Sequence, residues 1–421
     1  MSLTAELAVR ASRPVGAAAA DHLRMLTATN LAAGKGDLGR KQELIRALPL
    51  CADRSPMEAA TLTAVLLHAR TQDDFFPHGR VHVGAITLAA TLALADDAED
   101  RLLECLAAGY EVMCLTAESG STHVQRQGMR PSGIFGPLGA AAAAATALQL
   151  DDDGVANAIG LAAALAGGTN QAWLSGTDEW MFVVGQAARI GVEAALLTLA
   201  GITASEHALE GEAGWTACYL GAENRDSLRR VLLDERPRLP SVAAKLYPVS
   251  GIAQLVADLA CAVHGDEAGE PTELVVRLAE AEVNYPGTTN PGPFKGQSDA
   301  LMSVPFVVAC GLQHGAIRLT HVEKPAQAGV HHLLPRISVV ADPDVAEAEA
   351  VLEVKRAGGP PVSNRIGGDI MFPPWETFCR DTKAIARRSE TTPETVEAAL
   401  VALKKDRPDA RVLRQLLLEE M

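Results

Sequence analysis

Six consecutive alanines, Ala140 to Ala145, follow a stretch punctuated by Gly133, Gly136 and Gly139. Alanine has the highest helix propensity and almost no bulk, so such a run suits a helix whose neighbours approach very closely. The pattern predicts that helix over Pro137 to Leu148. Just upstream, Arg130-Pro131-Ser132-Gly133 gathers a guanidinium, a hydroxyl and backbone amides near a helix start. These are the components of an anion site, in which Arg130 and Ser132 would hold a carboxylate. The same residues also read as a glycine-rich loop that merely turns the chain into a buried helix, and residue types alone leave both readings open.

The rest of the chain is consistent with close helix packing. Of its 421 residues 48% are hydrophobic but only 4% aromatic, so Ala, Leu and Val must build the core. The formal charge of -15 argues against nucleic acid or an acidic membrane as partner. Seven scattered cysteines show no CxxC or Cys/His spacing and read as reduced core residues. The N-terminus lacks the pattern of a signal peptide, and no uninterrupted apolar run reaches membrane-spanning length. The expectation is a cytoplasmic protein with no membrane partner.

Apolar residues at helical spacing dominate as far as about Ala200. Helices are expected over Pro14–Ala33, Asp37–Ala47, Pro56–Leu67, Gly84–Leu94, Ala98–Glu118, Asp153–Leu165 and Gly185–Ala200, with Ser55-Pro56-Met57-Glu58 as a start signal. After Pro240 β-branched segments appear, at Leu274–Val283, Arg336–Ala341 and Ala350–Lys355, with helices between them. From about Pro374 the helical pattern returns. The fold class expected is therefore mainly α, a large all-helical domain with a smaller inserted α+β domain. The domains would be residues 1–240, 241–373, and a segment 374–421 that rejoins the first.

Three places carry candidate chemistry. His68, Asp73, Asp74, His78, Arg80 and His82 fall together between two apolar helices. Their order fits no standard zinc spacing, so no metal is expected. One histidine could serve as general acid or base, and plain loop histidines are the competing reading. Asp178, in a loop before a helix, reads as a cap or a partner for a cation. Lys245, after two alanines and before a turn, could bind a carboxylate or snorkel past apolar neighbours. P-loop, dinucleotide and nucleophile-elbow patterns do not occur.

The runs HARTQDDFFPHGRVHVGAI, GMRPSGIFGPLGAAAAAATALQLD, GLAAALAGGTNQAW, KLYPVSGIAQLVADLA and GGDIMFPPWETF, in this order, resemble the MmgE/PrpD family. The resemblance implies a helical domain with an α+β lid and a homodimer. It also implies chemistry without metal or organic cofactor on small di- or tricarboxylates, with the site in the cleft between body and lid. By the same resemblance His82 stands at the histidine of a His-Pro pair, with Val83 replacing the proline. Lys245 stands at the lysine of a Lys-x-x-Pro motif, followed by Tyr247 and Pro248, and Asp73 and Asp74 match two acidic residues.

Elsewhere the chain departs from the family pattern. Thr71 replaces an aspartate found in decarboxylating members, Arg130 a second site histidine, and Trp180 a lysine. The reading that results is a cofactor-independent lyase, most simply a dehydratase, on a small carboxylate-bearing substrate. His82, Lys245, Asp73 and Asp74 would be its catalytic groups, and Arg130, Ser132, Thr71, Trp180 and Tyr247 would face the substrate. Epimerisation and decarboxylation share the stabilised carbanion and stay open. The rival is a binding or assembly protein that has kept the fold and lost catalysis, for which the replacements at Thr71, Arg130 and Trp180 speak.

Overall fold

The computed structural model describes residues 1–39, 55–265 and 270–418. Most of the helix expected over Asp37–Ala47, and Cys51, lie outside the described residues. The first half is built from α1 (Leu3–Ala11), α2 (Ala17–Gly34), α3 (Pro56–His68), α4 (Val83–Ala93), α5 (Leu102–Arg126), α6 (Pro131–Ala147), α7 (Asp152–Leu165) and α8 (Trp180–Leu199). Ser55 caps α3 as its sequence suggests: its hydroxyl accepts from the Glu58 amide and Pro56 takes the first helical position.

The alanine-rich helix α6 begins at Pro131, not Pro137, so the glycine-punctuated stretch is itself helical. Pro137 cannot donate to the Gly133 carbonyl, and that carbonyl instead accepts the Gly167 N–H at 3.0 Å. With this bond replaced from outside, the proline is accommodated within the helix. The small residues serve packing: α6 lies centrally against α4, α5, α7 and α8. Gly191 of α8 approaches so closely that a β-carbon there would lie 2.2 Å from the Cβ of Ala140. By length and composition α8 could cross a membrane, although half of its most apolar stretch is buried within the protein.

The second half contains α9 (Ala253–Ala262), α10 (Val304–His314) and a four-stranded sheet. Its strands are β1 (Pro271–Leu278), β2 (Ile337–Ala341), β3 (Glu349–Arg356) and β4 (Val362–Gly367), in the spatial order β2-β1-β3-β4. β1 and β2 run parallel, with Leu274 opposite Ile337; the other pairs are antiparallel. Leu274, Val276 and Leu278 alternate with more exposed neighbours, and Ala350, Leu352 and Val354 face the same core. The strand expected to run to Val283 stops at Leu278, and Glu280–Val283 turns into a short helix instead. β4 gave no sequence signal, because Ser363, Asn364 and Arg365 break its apolar pattern.

The last helices, α11 (Thr382–Ser389), α12 (Pro393–Leu403) and α13 (Ala410–Leu418), join the core of the first half through Ile385, Val396, Leu400, Leu413 and Leu417. The second core also takes Leu62, Val65 and Leu66 from one face of α3, and Trp180 and Met181 from the start of α8. The two halves thus share α3 and α8 rather than meeting at a linker. Backbone pairing of Phe75 with Ala243 adds a direct join between them.

Candidate active site

The loop between α3 and α4 carries most of the polar residues singled out above, and it is pinned from several sides. The fully buried Arg70 reaches Glu390 at 2.7 Å and also donates to the Asp37 carbonyl. Gln72 donates to the carbonyls of Leu246 and Arg388, both at 3.0 Å. Asp74 accepts from Asn30 (2.9 Å), from the Gly84 amide at the start of α4 (2.6 Å) and from the Tyr110 hydroxyl. A β-carbon at Gly84 would fall 2.0 Å from the Asn30 amide nitrogen, so only glycine lets this carboxylate close on the helix start.

So held, the loop contributes Asp73 and His82 to a chain of four side chains, completed by His68 at the end of α3 and Arg130 at the start of α6. Arg130, the N-cap residue of α6, places Nη2 at 3.0 Å from Nε2 of His68. Nδ1 of His68 lies 3.0 Å from one oxygen of Asp73, and Nδ1 of His82 lies 2.9 Å from the other. Donor rules fix the protons. A guanidinium can only donate, so Nε2 of His68 accepts, Nδ1 carries the hydrogen, and that hydrogen goes to Asp73. Asp73 is held well below the usual carboxylate range: burial pushes it up, but His68, His82 and Lys245 together outweigh burial. An ionised Asp73 accepts from His82 as well, which leaves Nε2 of His82 with its lone pair.

Burial, reinforced by the Lys245 ammonium, keeps His82 well below the usual histidine value, so its ring is neutral at pH 7. Burial lowers His68 to about 4 and Arg130 to about 10, which leaves the first neutral and the second charged. The Lys245 ammonium is fully buried and also lowered by burial, with Asp73 opposing. It donates to the Thr71 carbonyl at 2.7 Å and lies 3.4 Å from Nδ1 of His82 and 3.7 Å from Asp73.

His82, Thr71, Arg130 and Ser132 line a cleft between the two cores, with about 910 Å³ of empty space including the open solvent at its mouth. The Ser132 hydroxyl accepts from the His82 amide at 3.2 Å. Pro131 has no N–H and that of Gly133 returns to the Arg130 carbonyl (3.0 Å), so this helix start offers an anion fewer amides than its sequence suggests. Arg130 lies 4.5 Å above the Trp173 ring, and its Nε has no partner among the described residues.

The other expected residues lie elsewhere. Asp73 and Lys245 stand behind His82 rather than in the cleft wall. Asp74 is turned into the core described above, where burial raises it to about 6. Trp180 is fully buried and sets its ring edge-on to His68 at 4.9 Å. The Tyr247 hydroxyl donates to Asp258 at 2.9 Å.

Residues that sequence reasoning did not select complete the cleft: Trp173, Ser250, Glu282, Tyr285 and Glu347. Their spacing along the chain carries no common signal. Thr71, Arg80 and Ala348, all cleft residues, hold φ of 57°, 50° and 60°, a conformation that residues with a β-carbon seldom adopt and that tends to gather at functional sites.

The donor atoms of His68, Asp73 and His82 lie within 4.8 Å of one another, close enough to suggest a cation site. The donor set suits a proton relay better. Two of the ring nitrogens carry hydrogens aimed at Asp73, the Nε2 of His68 faces Arg130, and Lys245 adds a further positive charge.

The chain that folds in this way belongs to a known class. The chain is a member of the MmgE/PrpD family: the model of the family's N-terminal domain matches residues 16–227 and that of its C-terminal domain residues 247–363. Cis-aconitate decarboxylase from Homo sapiens is 27% identical over 311 residues, which cover 69% of this chain. The match spans 62% of that enzyme's length, a little under two thirds.

Proposed function

We propose that the protein is a lyase that works without metal or organic cofactor on a small carboxylate-bearing molecule, removing the proton beside the carboxylate and expelling water. The observation that carries this reading is the chain Arg130, His68, Asp73, His82, which leaves a lone pair on Nε2 of His82 in a residue lining the cleft. In this scheme His82 is the base. Asp73 fixes its tautomer and stabilises the imidazolium once the proton has moved. Arg130, a cleft residue whose buried Nε has no partner among the described residues, binds the substrate carboxylate and bears part of the enolate charge. Lys245 holds the strained carbonyl of Thr71 and balances Asp73, a positioning role rather than direct contact with substrate.

Residues 1–240 with 374–421 would form the body and 241–373 a lid whose closure excludes water, in a homodimer. The likeness to cis-aconitate decarboxylase supports a second reading, in which the same enolate forms by loss of carbon dioxide. One experiment tests both: incubate the protein in deuterated water with a panel of di- and tricarboxylates and follow each by NMR. Deuterium at the α-carbon with loss of water is expected. Loss of carbon dioxide would select the second reading, and absence of any exchange across the panel would count against carbanion chemistry here.

A further inference from the structure

Several titratable groups of the cleft have no part in this scheme, and one of them, Glu282, is buried with an oxygen that has no partner among the described residues. Glu282 sits on the short helical turn Glu280–Val283 after β1, on the wall supplied by the second core, whereas His82 is on the wall supplied by the first. It is 9% exposed. Oε1 accepts the Ala348 N–H at 3.4 Å, from a residue held at φ 60°. Oε2 is buried and has no partner among the described residues.

The charged groups around Glu282 are committed to one another. Glu349 pairs with Arg365 at 2.5 Å and Glu347 with Arg80 at 3.6 Å, while Arg130 lies across the cleft paired with His68. Tyr285, also a cleft residue, adds no charge at neutral pH, since burial raises its hydroxyl. Among the described residues Glu282 therefore forms no ion pair. A buried, unpaired carboxylate oxygen is costly when ionised and cheap when protonated. Burial, helped by Glu347 and opposed by the Ala348 amide and Arg80, raises Glu282 to about 7. The two walls thus carry groups shifted in opposite senses, a neutral imidazole ready to accept a proton and a carboxylic acid ready to give one.

We propose that Glu282 is the general acid of this site, giving the Oε2 proton to the hydroxyl that leaves. The proposal rests on the elimination reading above. Nε2 of His82 takes the α-proton, and the C–H electron pair is first held as the enolate; in a second step it becomes the new carbon–carbon π bond as the C–O bond breaks. The departing oxygen takes the Glu282 proton and leaves as water. His82 has then gained one proton and Glu282 has lost one, and transfer through solvent restores both.

The test uses the whole protein with malate and citrate as probes, and measures α-deuterium exchange and water loss separately. Exchange requires only the base, whereas elimination requires the acid as well. Glu282→Gln keeps the size and the hydrogen-bond acceptor but has no proton to give. It is expected to lose water release by about 10²- to 10⁴-fold while retaining exchange. In the wild type, water loss should fall as pH rises through about 7, and Glu282→Asp should recover part of the rate. Undiminished water loss in Glu282→Gln, or equal loss of exchange and elimination, would overturn the assignment while leaving the role of His82 intact. A wild-type protein that exchanges neither probe would instead overturn the elimination reading, and Glu282 as its acid with it.

Discussion

The donor logic of the four-residue chain makes Asp73→Asn the sharpest perturbation. Asp73 accepts from Nδ1 of His68 at 3.0 Å and from Nδ1 of His82 at 2.9 Å. A carboxamide can accept at one position and must donate at the other. His68 cannot adapt, because moving its hydrogen to Nε2 would set it against the Arg130 N–H 3.0 Å away. The amide oxygen therefore goes to His68 and the NH2 group to His82. His82 must then accept at Nδ1 and carry its hydrogen on Nε2, so the nitrogen meant to take the α-proton is already protonated. Reversing the tautomer of an Asp–His pair in this way costs on the order of 10⁴ in turnover, or about 5 kcal/mol at the transition state. The variant also removes the nearer of the two buried carboxylates that act on the Lys245 ammonium, a loss of at most about 3–5 kcal/mol in stability. Nitrogen-15 NMR of histidine-labelled protein reads the tautomer directly, independent of any substrate. In the wild type Nε2 of His82 should resonate as an unprotonated nitrogen, and in Asp73→Asn as a protonated one, while His68 stays unchanged. A His82 signal that does not change, or a His68 signal that reverses, would refute the proton assignment.

Three further outcomes follow from the same geometry. Lys245→Met removes a cation 3.4 Å from Nδ1 of His82, so the His82 pKa should rise, visible as an upward shift of its NMR titration; an unchanged midpoint would show that the ammonium does not set it. His68 is buried neutral with its pKa lowered to about 4, so the unfolded chain takes up its proton first as pH falls. That stability is complete above about 6.5 and is lost on the way down to about 4, at most on the order of 3 kcal/mol. Urea midpoints should thus fall between pH 7 and pH 5, and fall less in His68→Gln. Gly191→Ala sets a methyl 2.2 Å from the Ala140 Cβ and should cost about 1–3 kcal/mol in urea unfolding without altering the His82 titration.

The parts of this molecule legible in its sequence are those where a local rule decides. Ser55-Pro56-Met57-Glu58 specifies a helix start through its own hydrogen bonds, and the alanine run specifies close packing through lack of volume. Even there the sequence pattern puts the start of α6 at Pro137, whereas the helix begins at Pro131. Gly133, Gly136 and Pro137 look like breakers until Gly167 is found to satisfy the carbonyl that Pro137 leaves free. Grouping His68, Asp73 and His82 is within reach because the end of α3 and the loop after it carry all three. Their roles are not, because the proton on His68 is assigned by Arg130, 62 residues away in the chain. Asp73 and Asp74 are adjacent and chemically identical in sequence. In the folded protein one accepts from two imidazoles and is held low. The other faces Asn30, Gly84 and Tyr110 in the core and is raised to about 6. The burial and partners that separate them are long-range properties of the packing. Glu282 is the extreme case: in the sequence it falls inside the β segment expected over Leu274–Val283, with nothing to mark it as a site residue. Only the end of β1 at Leu278, which turns residues 280–283 into a helix at the cleft, makes it a buried carboxyl with a free oxygen. The residues hardest to find by sequence pattern are thus those whose chemistry depends on the meeting of the two cores.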